Sequence, residues 1–250
     1  MYFFLCNLAV LDIFYVSTIL PKLLAITITG DKKISFTGCM TQLGCFIWCS
    51  TQELFLLAAM ACDRYIAICI PLRYSQIMNK GLFIPITTFS GLFCAIYSLL
   101  HAVFISQCLF TFYKEINHFY CDVKTLVRLI VSDTRTMEVV IFVDDACVGF
   151  FPLLCILMSY IFIISTILKI HSSTTRLKVF STCSSHLTVV LLSYGISLQV
   201  YAMPQSKLSL EKYKNISIFY VAIVPMLNPL VYSLRNKDVL KAIKKLIRVI

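Results

Sequence analysis

The stretch ACVGFFPLLCILMSYIFIISTIL, from Ala146 to Leu168, contains no charged residue. Bilayer hydrocarbon is roughly 30 Å thick and an α-helix rises about 1.5 Å per residue, so about 20 apolar residues can cross it. This stretch is therefore long enough to span a membrane as a helix. Three further runs meet the same requirement without a charge: Gly81 to Tyr113, Val179 to Ser206, and Asn215 to Leu234.

Two more apolar runs lie upstream, and each has an acid as its only charged residue. Met1 to Pro21 contains Asp12, and Ile34 to Ala61 contains Glu53. A carboxylate is costly in lipid, so we expect both acids to face the interior of a helix bundle or a water-filled cavity. The pattern predicts an all-α, multi-pass bundle with six transmembrane helices.

The composition excludes an ordinary soluble domain. Apolar residues make up 59% of the chain and its mean hydropathy is +0.87, well above the values of soluble globular proteins. No internal repeat and no Gly/Ser linker divides the chain, and no cleavable signal peptide is recognisable. Residues 1–250 are therefore predicted to form one transmembrane domain.

The net charge of +10 favours membrane headgroups over nucleic acid as the opposite charge, because the basic residues are grouped at helix ends and in the tail. The positive-inside rule places the C-terminus in the cytoplasm. The tail, 236–250, has the spacing of a short amphipathic helix on the inner leaflet, with a disordered basic tail as the alternative. Its basic residues are Lys237, Lys241, Lys244, Lys245 and Arg248.

Three short motifs carry a family resemblance: MACDRYIAIC (Met60 to Cys69), KVFSTCSSHL (Lys178 to Leu187) and PMLNPLVYSLRN (Pro225 to Asn236). Together with MYFFLCNLAVLD at the start and HFYCD (His118 to Asp122), they resemble the olfactory receptors, a branch of the rhodopsin-like G-protein-coupled receptors. The resemblance covers essentially the whole chain. It implies a receptor in the plasma membrane that binds a small volatile odorant, activates a stimulatory heterotrimeric G protein and needs no cofactor.

The resemblance has one large departure. Family members have seven transmembrane helices, whereas this chain begins at what resembles the second. The expectation is therefore either a fragment of a longer receptor or a truncated, non-signalling product.

The triplet Asp63-Arg64-Tyr65 matches the family's switch at the cytoplasmic end of its third helix. The resemblance implies that Arg64 pairs with Asp63 at rest and turns towards the G protein on activation. An arginine suits this role because its rigid fork of donors can exchange one partner for another. The alternative is an ordinary charged anchor at the membrane interface.

Asp12 and Glu53 form a second predicted site, with Asn228 as a third member by resemblance. Two nearby carboxylates in a low-dielectric bundle cannot both stay ionised without a compensating cation. One is therefore expected to be protonated, or a sodium ion to lie between them. The alternative is that each acid is separately hydrogen-bonded.

Pro229 and Tyr232 resemble the family's movable inner end of the last helix. Proline removes one backbone hydrogen bond and permits a kink. A passive kink of the kind common in membrane helices is the alternative.

Most of the twelve cysteines lie in apolar runs, where they act as small apolar side chains. No zinc-type spacing occurs, so no metal site is predicted. The resemblance implies a disulfide between Cys39 and Cys121, with Cys108 as a rival partner. The positions for a second family disulfide are Thr111 and Val131, so that bridge is not expected.

The family's ligand pocket maps onto two helices of this chain. A mostly apolar cavity with a few hydroxyls suits a small volatile molecule, and helix packing is the alternative role for each residue. The predicted lining residues are Phe46, Ile47, Ser50, Thr51, Tyr194, Ser197 and Leu198.

Two other classes of membrane protein fit poorly. A secondary transporter is typically built from duplicated halves and Gly-interrupted helices, but this chain has seven glycines and no visible repeat. An intramembrane hydrolase needs a nucleophile beside a base. Ser184, Ser185 and His186 follow one another on a helix and point in different directions, so the sequence predicts no enzyme.

Asp144 and Asp145 map near the pocket, where a carboxylate would attract a cationic ligand such as an amine; the alternative is a pair at the water interface. The pocket hypothesis predicts that amines activate the receptor better than acids or neutral esters do. Asp144→Asn and Asp145→Asn should then weaken the amine response in a dose-response assay. Acids and esters outperforming amines, with both variants silent, would contradict the hypothesis.

Overall fold

The fold is taken from a computed structural model that describes residues 2–111, 116, 118–131, 135–202, 207–218, 221 and 224–228. Nearly all regular structure in these residues is helical, the exception being one isolated bridge between Phe110 and Ile130. A 3₁₀ turn at Pro71–Arg73 precedes the third helix. The named helices are α1 (Tyr2–Ile28), α2 (Phe36–Cys69), α3 (Tyr74–Ile77), α4 (Lys80–Ser106), α5 (Val123–Val127), α6 (Arg135–Leu168), α7 (Ser173–Ala202) and α8 (Lys207–Ile218).

Within the described residues, five helices are long and apolar enough to cross a bilayer. They are Tyr2–Ile28, Phe36–Cys69, Lys80–Ser106, Ile141–Leu168 and Ser173–Leu198. The prediction of an all-α, multi-pass helix bundle is confirmed. Half of the sixth predicted span, Asn215 to Leu234, lies outside the described residues, as do the tail at 236–250, Pro229 and Tyr232. These remain predictions.

Several helices extend beyond the apolar runs that predicted them, α1 and α6 among them. Helix α1 continues past Pro21 to Ile28, because a proline is tolerated in a membrane helix whose neighbours stabilise the freed carbonyl. Gly30 follows the helix with a φ of 69°, a left-handed conformation that suits glycine after a helix end. Helix α6 begins at Arg135, so Asp144 and Asp145 belong to this helix; their side chains lie outside the described part of the structure.

Helix α2 is the centre of the bundle. It contacts α1, α4, α6 and α7, and 56% of its most apolar stretch is buried, compared with 28–33% for the other four spans. Leu43, Leu57 and Ala61 are completely buried on this helix. A residue on α2 is therefore placed to act on several helices at once.

Polar groups lie inside the bundle and many large apolar groups lie outside it. Asp12, Glu53 and His186 are buried, whereas Phe89 and Leu191 are largely exposed. This distribution is expected when the surrounding solvent is hydrocarbon, because lipid offers no hydrogen-bond partner to a polar group.

One end of the bundle is closed by a disulfide between Cys39 and Cys121, with a Cα–Cα distance of 5.5 Å. The side chain of Gln42 reinforces the connection in both directions. Its Oε1 accepts a hydrogen bond from the backbone N–H of Cys121 at 3.0 Å, and its Nε2 donates to the carbonyl of Thr18 on α1 at 3.0 Å. We call this the disulfide end.

The opposite end of the bundle contains Arg64, which lies 25 residues, or roughly 37 Å of helix, beyond Cys39 on α2. The last turns of α2 and α6 meet here, since the thiol of Cys69 lies 3.2 Å from the hydroxyl of Thr166. We call this the Arg64 end. The two ends are thus defined by residues on one continuous helix.

Candidate functional site

Four buried polar side chains from four parts of the chain meet in the middle of the bundle. Asn228 Nδ2 donates to Asp12 Oδ1 and to Glu53 Oε1, at 3.3 Å each. Ser193 Oγ also donates to Glu53 Oε1, at 3.0 Å. We call these residues the buried polar cluster. The cluster connects α1, α2 and α7 to the helical residues 224–228.

The structure thus brings together all three residues that the sequence analysis grouped, and it adds Ser193. Helix α7 contains several serines, and nothing in the sequence distinguishes Ser193 as the one that faces an acid. Because Ser193 immediately precedes Tyr194, the cluster lies next to a residue predicted to line the ligand pocket.

The cluster has more acceptors than donors. Asp12 Oδ2 and Asn228 Oδ1 are both buried without a hydrogen-bond partner. Buried polar atoms in this condition are costly unless a proton, an ion or water satisfies them. Oxygen atoms from two carboxylates and one amide suit a hard cation better than a soft one. The residues present therefore fit either a shared proton or a small cation.

Asp63 lies at the Arg64 end, where its Oδ1 accepts a hydrogen bond from the Tyr74 hydroxyl at 3.0 Å. Partial burial and the adjacent Asp63 carboxylate raise the pKa of Tyr74 to about 12, so the phenol keeps its proton and remains a donor. Tyr74 is a partner that the sequence analysis missed. Arg64 is buried, and its pairing with Asp63 remains a prediction.

A second set of polar contacts lies between the buried polar cluster and Arg64, and it joins α2, α6 and α7. The Tyr160 hydroxyl of α6 lies 2.9 Å from His186 Nδ1 of α7, and His186 Nε2 lies 3.0 Å from the Leu57 carbonyl of α2. A carbonyl can only accept, so Nε2 carries a proton, and in the neutral ring Nδ1 then accepts from the Tyr160 hydroxyl. The same hydroxyl lies 3.4 Å from the Cys183 carbonyl, a longer contact than the one to His186. We call the contact of Tyr160 with His186 the Tyr160–His186 latch.

The latch explains why His186 cannot serve Ser184 as a base. His186 is completely buried against Tyr160, whereas the half-buried Ser184 points in a different direction on α7 and donates to the Ser181 carbonyl. The KVFSTCSSHL stretch, Lys178 to Leu187, does not by itself indicate a partner for His186. Its true partners come from helices that are distant in sequence.

The predicted pocket residues on α2 lie next to the loop that contains His118 to Asp122 at the disulfide end. Tyr120 of this loop is buried, and its ring centroid lies 5.1 Å from that of Phe46, which in turn lies 5.7 Å from the ring of Tyr15 on α1. Aromatic pairs at these separations stabilise one another. The loop residue Tyr120 therefore covers the predicted pocket, which the HFYCD stretch alone did not indicate.

The remaining predicted pocket residues differ in environment. Ile47 and Thr51 are buried, whereas Leu198 is 63% exposed. The hydroxyls of Ser50, Thr51 and Ser197 donate to carbonyls of their own helices and keep lone pairs for a ligand. Tyr194 donates to the Gly149 carbonyl of α6 at 3.4 Å. Their role as ligand contacts remains a prediction.

Apolar spans around buried polar contacts define a multi-pass membrane bundle of the G-protein-coupled receptor type. A family model described as "Olfactory receptor" matches residues 1–249. The chain belongs to the olfactory receptor family, which is a family of receptors and not of enzymes.

Individual relatives give the same result. Olfactory receptor 8U9 of Homo sapiens is 44% identical over 250 residues, covering 99% of this chain and 80% of the relative. Olfactory receptor 8U9 of Mus musculus and olfactory receptor 1G1 of Gorilla gorilla gorilla are each 45% identical over 247 residues, covering 99% of this chain and 79% of each relative. The resemblance and the absence of enzymatic function predicted from the sequence are confirmed.

The latch geometry predicts the effect of removing one hydroxyl. Tyr160→Phe deletes the donor to His186 and leaves a buried acceptor unsatisfied, which costs about 1–3 kcal/mol. We expect thermal unfolding of the purified chain in nanodiscs to shift to lower temperature. Tyr194→Phe is the matched control, because it removes only a 3.4 Å bond of a less buried tyrosine. Equal unfolding temperatures for the two variants would show that the latch does not stabilise the bundle.

Proposed function

We propose that this olfactory receptor binds a small volatile odorant between α2 and α7 and activates a heterotrimeric G protein of the stimulatory type at its Arg64 end. The observation that carries the proposal is the order of contacts along the two helices. Between the predicted pocket and Arg64, α2 and α7 are joined at Glu53 to Ser193 and again at Leu57 to His186. A ligand that displaces α7 beside Tyr194 would therefore strain both contacts.

The orientation follows from chemistry at the two ends. Disulfides persist in oxidising compartments, which supports an extracellular position for Cys39 and Cys121. The basic tail after Asn236 supports a cytoplasmic C-terminus by the positive-inside rule. On this proposal the receptor is a multi-pass protein of the plasma membrane with its Arg64 end facing the cytosol.

The surface at the Arg64 end supports docking of a protein there. Leu72 follows Pro71 in the 3₁₀ turn and is 94% exposed. An apolar side chain so fully exposed at a membrane–water boundary suits burial in an apolar pocket of a partner. Tyr74 of the same loop holds Asp63 at 3.0 Å, so a partner bound to the loop could change the surroundings of Arg64.

The buried polar cluster is proposed to hold a proton or a sodium ion that favours the resting arrangement. Asp12, Glu53 and Asn228 would hold the ion through oxygen atoms, and the ion would supply the positive charge that two buried carboxylates need. The unsatisfied oxygens of Asp12 and Asn228 support this proposal. A charge held between α1, α2 and residues 224–228 would oppose their separation.

The receptor proposal predicts that Arg64→Ala strongly reduces odorant-dependent signalling. A panel of volatile esters, acids, aldehydes and amines is applied to cells that carry the chain at their surface, and cyclic AMP is measured. Loss of the exchangeable donor should reduce the response on the order of tenfold or more, equivalent to about 1.4 kcal/mol or more of coupling. Lys32→Ala, an exposed cation at the disulfide end, should respond like the wild type.

Two outcomes would contradict the receptor proposal. An unchanged response of Arg64→Ala would remove Arg64 from the relay. A wild-type chain that reaches the surface but responds to no member of the panel would favour the alternative of a non-signalling product.

The sodium proposal predicts a cation-specific stability. Replacing potassium by sodium should raise the unfolding temperature of the purified wild-type chain, with a gain that grows with the logarithm of sodium concentration. Glu53→Gln and Asp12→Asn should abolish the difference. Asp31→Asn, an exposed acid in the α1–α2 loop, should retain it. If the wild type unfolds at the same temperature in both salts, a bound sodium ion is excluded and a proton shared by the two carboxyl groups remains as the explanation.

A further inference from the structure

A groove of about 350 Å³ lies between the last turn of α6 and the first turns of α7, at the Arg64 end. Four of its apolar residues are 53–70% exposed on the outside of the bundle, and Ile167 forms a buried floor. The groove is separate from the predicted odorant pocket, whose residues lie towards the disulfide end. Its lining residues are Ile164, Ile167, Leu168, Arg176, Leu177 and Phe180.

The groove lies at the depth where hydrocarbon meets water. Leu168 is the last residue of the membrane span of α6, and residues 169–172 connect it to Ser173, the first residue of α7. Arg176 is therefore in the first turn of α7. Its side chain lines a cavity that is otherwise apolar, which places a cation at the headgroup level above an apolar wall.

The positive charge around the groove has no acidic counterpart nearby in the sequence. Lys169, Arg176 and Lys178 are all exposed, and His171 lies in the same connection. Between Asp145 and Glu211 the chain contains no Asp or Glu. These exposed cations at the groove therefore favour an anionic ligand.

The combination of an apolar wall and exposed cations selects the ligand class. A water-soluble anion would meet the cations but leave the apolar groove unfilled, and a neutral lipid would fill the groove without using Arg176. An anionic phospholipid meets both requirements. Arginine binds phosphate through two parallel hydrogen bonds, and basic pockets between membrane helices recognise such headgroups.

We propose that the α6–α7 groove binds an anionic phospholipid, with an acyl chain along Ile164, Ile167 and Phe180 and the phosphate on Arg176. The bound lipid bridges the two helices that the Tyr160–His186 latch also joins. It therefore adds a membrane-derived contact to the Arg64 end of the bundle. The inference goes beyond odorant binding and G-protein activation and is tested without either.

The test uses the purified full chain in phosphatidylcholine nanodiscs that contain a photoactivatable phosphatidylserine as a minor component. Labelled peptides are identified by mass spectrometry. We expect labelling within 164–180, and Arg176→Gln should reduce it on the order of tenfold, because a charge-assisted contact to phosphate is lost. Arg73→Gln, which removes another exposed cation at the same end outside the groove, should label like the wild type.

Further variants and competitors test separately the effect of the charge at Arg176, the effect of the acyl chain and the folding of each variant. Arg176→Lys should retain most of the labelling, and thermal unfolding of each variant shows whether it is folded. Excess soluble glycerophosphoserine should compete weakly, since it has no acyl chain. Equal labelling by photoactivatable phosphatidylcholine, full displacement by the soluble headgroup, or unchanged labelling of folded Arg176→Gln would overturn the proposal.

Discussion

The low polarity of the bilayer is the constraint on which this structure depends. Polar side chains cannot be satisfied by hydrocarbon, so they must find partners within the bundle. Asn228 is the clearest result, since one amide donates to carboxylates from two different helices. Because of the same constraint, several buried polar contacts connect one helix to another. A rearrangement of these helices would therefore alter these contacts.

Helix α2 organises these contacts because it is surrounded by other helices. From the disulfide end to the Arg64 end it carries Gln42, Glu53, Leu57 and Asp63, each of which bonds to another part of the chain. Helix α7 meets it twice, through Ser193 and His186. The predicted pocket lies above the first of these meetings and Arg64 lies below the second. A displacement near the pocket therefore acts on contacts that lead towards the opposite end.

The outside of the bundle has a different chemistry at each depth. Apolar side chains cover the spans, whereas cations collect where α6 joins α7. The receptor thus presents one surface to acyl chains and another to headgroups. If the groove binds a phospholipid as proposed, membrane composition would act on the same pair of helices, α6 and α7, that the latch joins.

Length, apolarity and motif order determined the class of this protein without coordinates. A run such as Ala146 to Leu168 can only be accommodated in lipid or a large core, and an isolated acid such as Glu53 must then face inwards. The motifs identified the family and implied the disulfide between Cys39 and Cys121, which the structure contains. Tertiary structure alone decided the hydrogen-bond partners of the buried polar groups. Asp63 is paired with Tyr74, Cys121 with Gln42, Glu53 with Ser193, and His186 with both Tyr160 and Leu57. The physical reason is that a helix fixes the spacing of its own side chains, whereas a hydrogen bond between helices depends on how those helices rotate and cross in the packed bundle.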